Sequence, residues 1–475
     1  MHPESFIQTE KEFPAVGADG LTIFDMKKPW WFLAMALPPL LLAACSPATP
    51  IVRTVLPGHV STSASGDICP GTGTDYITDF QIRSVPAMPE PAARVPFRDP
   101  VFGTCLVRVT DRRKDLSAGD ASAGLKNEYS RVESFNSNGS RILVRGTEAT
   151  WYVYDAATFK PLGQVPIDID PRWSAVDPDL LYYSSGTRLM SYNIVSSEQT
   201  TVHEFAADLP GFGAEQVWTR YEGSPSADGG WWGLMAQDAD GLAVAFLVYD
   251  LNSDSVPAVR DLRRWGADAR EIDSVTMTVR GIYFLAFLDK ACPQGELGTD
   301  DHPCGLMAYD RSLTHGRGLL RIVGHADTAL DRDRREVLVY QDIDTDSISV
   351  LDLETGKVTR LWEIDFTHCR GCGMHFSGRA FRRPGWALVS SFDGDPASST
   401  WMDDQVFAVE LQRGGRVVRL AHHHSLADPD REQDYWAEPQ ASVNWDFTRV
   451  LFTSNWGRSG SGEVEMYMIL LSGLP

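Results

Sequence analysis

Seven times along the chain, two short apolar runs follow one another across a turn, the second ending in an acidic or amide residue or at the chain end. Successive copies start roughly 40 to 60 residues apart. The first runs are Ile142-Leu143-Val144, Leu181-Tyr182-Tyr183, Trp232-Gly233-Leu234-Met235, Ile282-Tyr283-Phe284-Leu285, Val337-Leu338-Val339-Tyr340, Trp386-Ala387-Leu388-Val389 and Val450-Leu451-Phe452-Thr453. The second runs are Val153-Tyr154-Asp155, Ser191-Tyr192-Asn193, Val248-Tyr249-Asp250, Ala308-Tyr309-Asp310, Val350-Leu351-Asp352, Ala408-Val409-Glu410 and Tyr467-Met468-Ile469. Polar stretches such as Asn136-Ser137-Asn138-Gly139-Ser140 and Asp177-Pro178-Asp179 precede several first runs and favour tight hairpins. A sheet of four short strands cannot bury both faces alone, so neighbouring sheets must stack radially. The pattern predicts an all-β chain, a seven-bladed β-propeller of four-stranded antiparallel blades. After Ile469 no fourth strand remains for the last blade, and Cys105-Leu106-Val107-Arg108-Val109-Thr110 is the natural donor. An N-terminal strand would close the ring and leave no sheet edge exposed. Residues 205–222, 290–304 and 391–404 read as loops on the two faces.

The first 45 residues suggest an address. Met26-Lys27-Lys28 gives a positive start, Trp30 to Leu42 an apolar stretch, and Leu42-Ala43-Ala44-Cys45 a small-residue end before a cysteine. That order is the layout of a secretory signal peptide, and the apolar stretch is shorter than the roughly 20 residues that span a bilayer. The tetrad resembles the lipobox of bacterial lipoproteins, which implies lipidation at Cys45 and a membrane partner through that anchor. Ser46 in place of an acidic residue then implies the outer membrane of a bacterial cell envelope, facing periplasm or surface. The domain reading is 1–25 as a gene-model extension, 26–45 as signal, 46–76 as a flexible Ser/Thr/Pro/Gly-rich tether, and 77–475 as the propeller.

A net charge of −21 makes a surface that repels phosphate backbones, which excludes nucleic acid as a partner. The 14 Trp and 14 Tyr suit both packed sheets and carbohydrate stacking. Six cysteines follow Cys45, and an oxidising compartment invites them to pair. Cys292 and Cys304 flank one loop and are expected to staple it; Cys69 with Cys105 would pin the tether to the first body strand. Cys369-Arg370-Gly371-Cys372, flanked by His368 and His375, reads as a local disulfide or thiol pair ahead of a zinc site.

Residues near the start of each innermost strand converge at the channel mouth. Blade by blade they are Glu128-Tyr129-Ser130-Arg131, Asp170-Pro171-Arg172-Trp173, Arg220-Tyr221-Glu222, Glu271-Ile272-Asp273, His325-Ala326-Asp327, His375-Phe376-Ser377-Gly378-Arg379 and Glu438-Pro439-Gln440. His325, His375, Glu438 and Gln440 can hold one divalent metal (Mn, Ca or Zn), and Arg131, Arg172 or Arg379 can clamp a carboxylate. The alternative is a wet channel whose polar groups serve only structure. His422-His423-His424 reads as a solvated turn. No G-x-S-x-G elbow and no phosphate-cradling glycine loop is visible.

Pro171-Arg172-Trp173-Ser174, Gly324-His325-Ala326-Asp327 and Glu438-Pro439-Gln440-Ala441-Ser442, followed by Arg449-Val450-Leu451-Phe452-Thr453-Ser454, resemble oligogalacturonate lyase-type propellers and, more loosely, Tol-type propellers. The resemblance implies a manganese ion held by histidines and a glutamine, and cleavage of uronate oligosaccharides by β-elimination. His325 falls at a family histidine. Two further positions that are histidines in the family hold Glu438 and Gln440 here. The catalytic base would then be His375 or Tyr129, with an arginine on the carboxylate. The functional expectation is an envelope-anchored lipoprotein whose propeller binds a glycan or protein partner, with the metal-dependent uronate lyase as the alternative and an assembly scaffold as a third reading.

Overall fold

The computed structural model describes residues 69, 75–365, 372–395, 397 and 399–474. It is a seven-bladed β-propeller. Six antiparallel sheets of four strands span residues 125–165, 169–204, 214–261, 272–320, 326–363 and 373–422. The seventh takes its three inner strands from the C-terminal end, Ser442–Val443, Arg449–Ser454 and Glu465–Leu470, and its fourth from Cys105–Arg108. Leu106 pairs with Ile469 and Val107 with Met468, so the donor strand closes the ring as the sequence predicts. A short strand, Pro96–Arg98, adds a fifth position outside it.

All seven pairs of apolar runs form the second and third strands of their blades. These middle strands bury both faces, which is why they read as continuous apolar runs rather than alternating ones. Tyr249, Tyr309, Tyr340 and Tyr467 are fully buried between blades. One packing cluster joins Leu388, Val406 and Leu420 of the sixth blade to Val450, Phe452 and Ile469 of the seventh, so the core is a ring of interfaces between sheets.

Two expectations need correction. Residues 205–222 are not all loop, because Ala214–Trp218 is the innermost strand of the third blade; its start carries the exposed Glu215 and the half-buried Gln216, which hide the strand signal. The histidine tract is not a solvated turn. His422 and His423 are fully buried, since the segment from Ile77 to Arg83 lies over the strand Val417–His422. His422 Nε2 meets the Arg83 carbonyl at 3.1 Å, His423 Nε2 meets the Ser391 carbonyl at 2.8 Å, and His424 stacks on Trp456 at 4.2 Å.

Cys69 pairs with Cys105, and Cys292 with Cys304. Cys372 is also held in a disulfide, whereas Cys369 and His368 lie outside the described residues. So do residues 1–45, including the proposed lipidation site Cys45. Among the described residues no helix is long and apolar enough to cross a membrane.

Candidate metal centre

Three blades deliver one ligand each to a single point. His325 immediately precedes the innermost strand Ala326–Leu330, His375 lies within Gly373–Ser377, and Glu438 caps the short 3₁₀ turn Glu432–Ala437 ahead of Ser442–Val443. One ligand atom from each lies within 4.8 Å of the others, and all three residues are buried. The imidazole rings are 4.2 Å apart, and His375 stacks on Phe392 at 5.1 Å, which fixes its orientation. His375 Nε2 sits 2.7 Å from Glu438 Oε2.

Burial first, and then the neighbouring cations, hold His375 well below its ordinary pKa; burial and His375 do the same to His325. Both imidazoles are therefore neutral near pH 7, the form that ligates metals. Burial lifts Glu438 to about 7, against the pull of His325 and Lys126. His325 Nε2 and His375 Nδ1 are buried with no hydrogen-bond partner. Orphaned polar atoms of this kind cost about 1–3 kcal/mol each and call for an explanation. A divalent cation fits the donor set: two neutral nitrogens and one carboxylate suit Mn or Zn better than Ca, which prefers an all-oxygen shell.

The other residues singled out from sequence divide into neighbours and struts. Gln440 stands beside the triad, but its Oε1 accepts from Lys126 Nζ at 2.6 Å, so its coordinating atom is already engaged. Tyr129 packs edge-on against His375 at 5.3 Å, and burial followed by the adjacent Glu222 keeps its phenol protonated far above pH 10. Arg131 pairs with Glu222 at 2.9 Å. Arg172 bonds Glu128 at 3.1 Å, Asp170 at 3.3 Å and the carbonyls of Pro171, Tyr221 and Gly223. Arg379 donates to the Arg131 carbonyl at 2.9 Å, and burial depresses its pKa against the opposing charge of Asp327. These three guanidiniums bind protein groups and tie blades together.

A narrow cleft of ≈ 40 Å³ opens beside the triad, lined by Lys126, Glu128, Tyr129, Arg145, Arg220, Tyr221, Glu222, Asp273, Tyr435 and Trp436. Sequence reasoning missed its two most reactive-looking members. Lys126 is buried; desolvation and then Arg145 lower its amine to about 7, against Glu128 and Glu438. Arg145 forms no ion pair among the described residues and lies over the rings of Trp436 at 5.2 Å and Tyr221 at 5.4 Å. A signal was available for Lys126, which ends the short innermost strand Leu125–Lys126 two residues before Glu128. Arg145 carried none, since it ends an ordinary apolar run.

A β-propeller with a buried His-His-Glu cluster at its channel is thus the class that fold and site define. Among solved structures, the chain is similar to an oligogalacturonate lyase in complex with manganese, at TM-score 0.54 and 15% identity, over 79% of this chain and 95% of that one. It is also similar to the oligogalacturonate lyase of Vibrio parahaemolyticus, at TM-score 0.52 and 12% identity, over 83% and 98%. These likenesses establish the shared seven-bladed fold. No protein-family profile and no curated protein sequence matches the chain.

Proposed function

We propose that the channel mouth is a metal-dependent site that cleaves uronate-containing oligosaccharides by β-elimination. One observation carries the reading: the neutral His325–His375 pair and Glu438, with two orphaned nitrogens, adjoin a cleft holding an unpaired guanidinium and a near-neutral amine. The manganese bound by a lyase of the same fold supports the choice of metal. When bound by His325, His375 and Glu438, a divalent ion supplies a Lewis acid that neutralises a carboxylate and acidifies the proton α to it.

The chain's own groups complete the chemistry. Arg145, backed by Trp436 and Tyr221, binds the carboxylate. His375 is occupied by Glu438 and Tyr129 stays protonated, so Lys126 replaces them as the base. Its neutral amine takes the α-proton, the C–H electrons form the new C=C bond, and the C–O bond to the leaving sugar breaks. Tyr129 then serves as the acid that protonates the departing oxygen. The signal-like segment ending at Cys45 supports a lipid-anchored enzyme in a bacterial envelope.

A binding-only role is favoured by the narrowness of the cleft, which holds water-sized groups without rearrangement. The test is elemental analysis of untagged protein prepared without chelators, wild type against His325→Ala, followed by assay of oligogalacturonates for unsaturated products. About one metal per chain, lost in the variant, with metal-dependent product is expected. Metal without product leaves the binding role; no metal in either protein overturns the centre.

A further inference from the structure

The other face of the ring carries a second cleft, of ≈ 330 Å³, lined by Arg332, Arg382, Arg383 and Arg416 around Pro384, Gly385, Trp386 and Glu410. Arg332 lies on the hairpin that follows Ala326–Leu330, the strand that begins beside His325, so the cleft and the triad stand at opposite ends of one strand. The neighbouring hairpins, after Gly373–Ser377 and after Gln405–Glu410, supply the remaining walls.

The walls are fixed. Gly385 N donates to the Leu330 carbonyl at 2.8 Å and Leu411 N to the Gly385 carbonyl at 2.9 Å, stitching the three hairpins together. Gly385 has φ +90°, and a Cβ there would meet Arg332 Cα at 3.2 Å, so the close approach of the two hairpins needs glycine. Arg416 lies over Trp386 at 5.2 Å and neutralises Glu410, the one acidic residue in the lining, at 3.3 Å. Arg383 donates to the Leu474 carbonyl at 2.6 Å. Arg332 and Arg382 are exposed and form no ion pair among the described residues; Arg382 only rests on Trp445 at 4.9 Å.

In a chain of net charge −21, four guanidiniums around one concavity are a local reversal of sign. Holding like charges together is unfavourable unless an anion compensates them, and guanidinium pairs match planar or tetrahedral oxyanions in a two-point grip. The volume lies at the lower end for small-ligand sites and suits one charged sugar ring rather than a flat surface. Pro384, backed by the buried Trp386, offers a limited apolar strip for the ring's C–H face.

We propose that this cleft binds an anionic glycan unit, its carboxylate or sulfate held by Arg332 and Arg382, at a subsite separate from the triad. The inference stands without the lyase reading, since it uses none of those residues.

Calorimetric titration of the full chain with trigalacturonate, a sulfated oligosaccharide of similar length and inorganic sulfate tests it. The same titrations are run on the Arg332→Ser/Arg382→Ser double variant and on His325→Ala. One oligosaccharide should bind better than inorganic sulfate, weaken at least tenfold in the double variant, and keep its affinity in His325→Ala. Preference for trigalacturonate assigns a uronate, and preference for the sulfated chain a sulfate ester. Equal affinity in wild type and double variant, or no advantage over inorganic sulfate, would each overturn the proposal.

Discussion

The two faces of the ring handle charge in opposite ways. On the triad face, Arg131, Arg172, Glu128, Glu222 and Asp170 are buried and matched almost one for one. On the other face the arginines of the second cleft are exposed, and three of them, Arg332, Arg382 and Arg383, have no acidic partner among the described residues. Buried pairs fix geometry but are costly to break, whereas exposed charges contribute little to stability and remain open to ligands. The first face is therefore built for precise placement of a few atoms, and the second for capture.

The largest contrast should appear in stability. Arg172→Ala strands Glu128 and Asp170 without their cation and is expected to cost about 3–5 kcal/mol, read as a shift in the urea midpoint. Arg332→Ala should stay within about 0.5 kcal/mol in the same titration. Comparable losses at both sites would erase the distinction.

Catalysis sharpens it next. If Lys126 is the base, Lys126→Ala should reduce lyase turnover by about 10²–10⁴-fold while retaining metal. Wild-type activity should rise with pH through about 7, because only the neutral amine accepts a proton. A pH profile unmoved by a conservative Lys126→Arg change that retains activity would reject that role.

A smaller effect comes from the ion. At a concentration about 100-fold above its Kd, manganese should stabilise wild type by about 2.7 kcal/mol, seen as a raised Tm, and leave His325→Ala unchanged.

The smallest concerns a charge pair of intermediate exposure on the rim. His203 is half-buried between Asp208 at 2.8 Å and Asp254 at 2.7 Å; burial works against its charge, but the two carboxylates raise its pKa above 6.5. A raised folded-state pKa stabilises the fold fully below the unfolded value, and the benefit is lost as pH rises through the folded one. The Tm gap between wild type and His203→Gln should thus be wider at pH 5.5 than at pH 8.5.

The fold was legible because the second and third strands of each blade are buried on both faces and leave uninterrupted apolar runs. The innermost strands were harder to see: Ala214–Trp218 carries the exposed Glu215 and half-buried Gln216 near its start, so it reads as loop. The convergence of His325, His375 and Glu438 could be read because each stands at a corresponding place in its blade. The fates of the arginines could not, since Glu222 and Glu128 reach them across blades without any local pattern. The burial of His422 and His423 was equally hidden, because what covers that strand, the backbone from Ile77 to Arg83, lies about 340 residues earlier.

That reach across the chain bears on the order of assembly. The strand that completes the seventh blade precedes the other six blades in the sequence, and its partner follows them: Thr110 must wait 355 residues for Glu465. Six blades lie between the two partners, and the circle stays open until Glu465–Leu470 has been made. Contacts so distant in sequence form slowly. A late event of folding is then the pairing of two segments separated by six blades, and deletion of either Cys105–Arg108 or Glu465–Leu470 leaves the same gap.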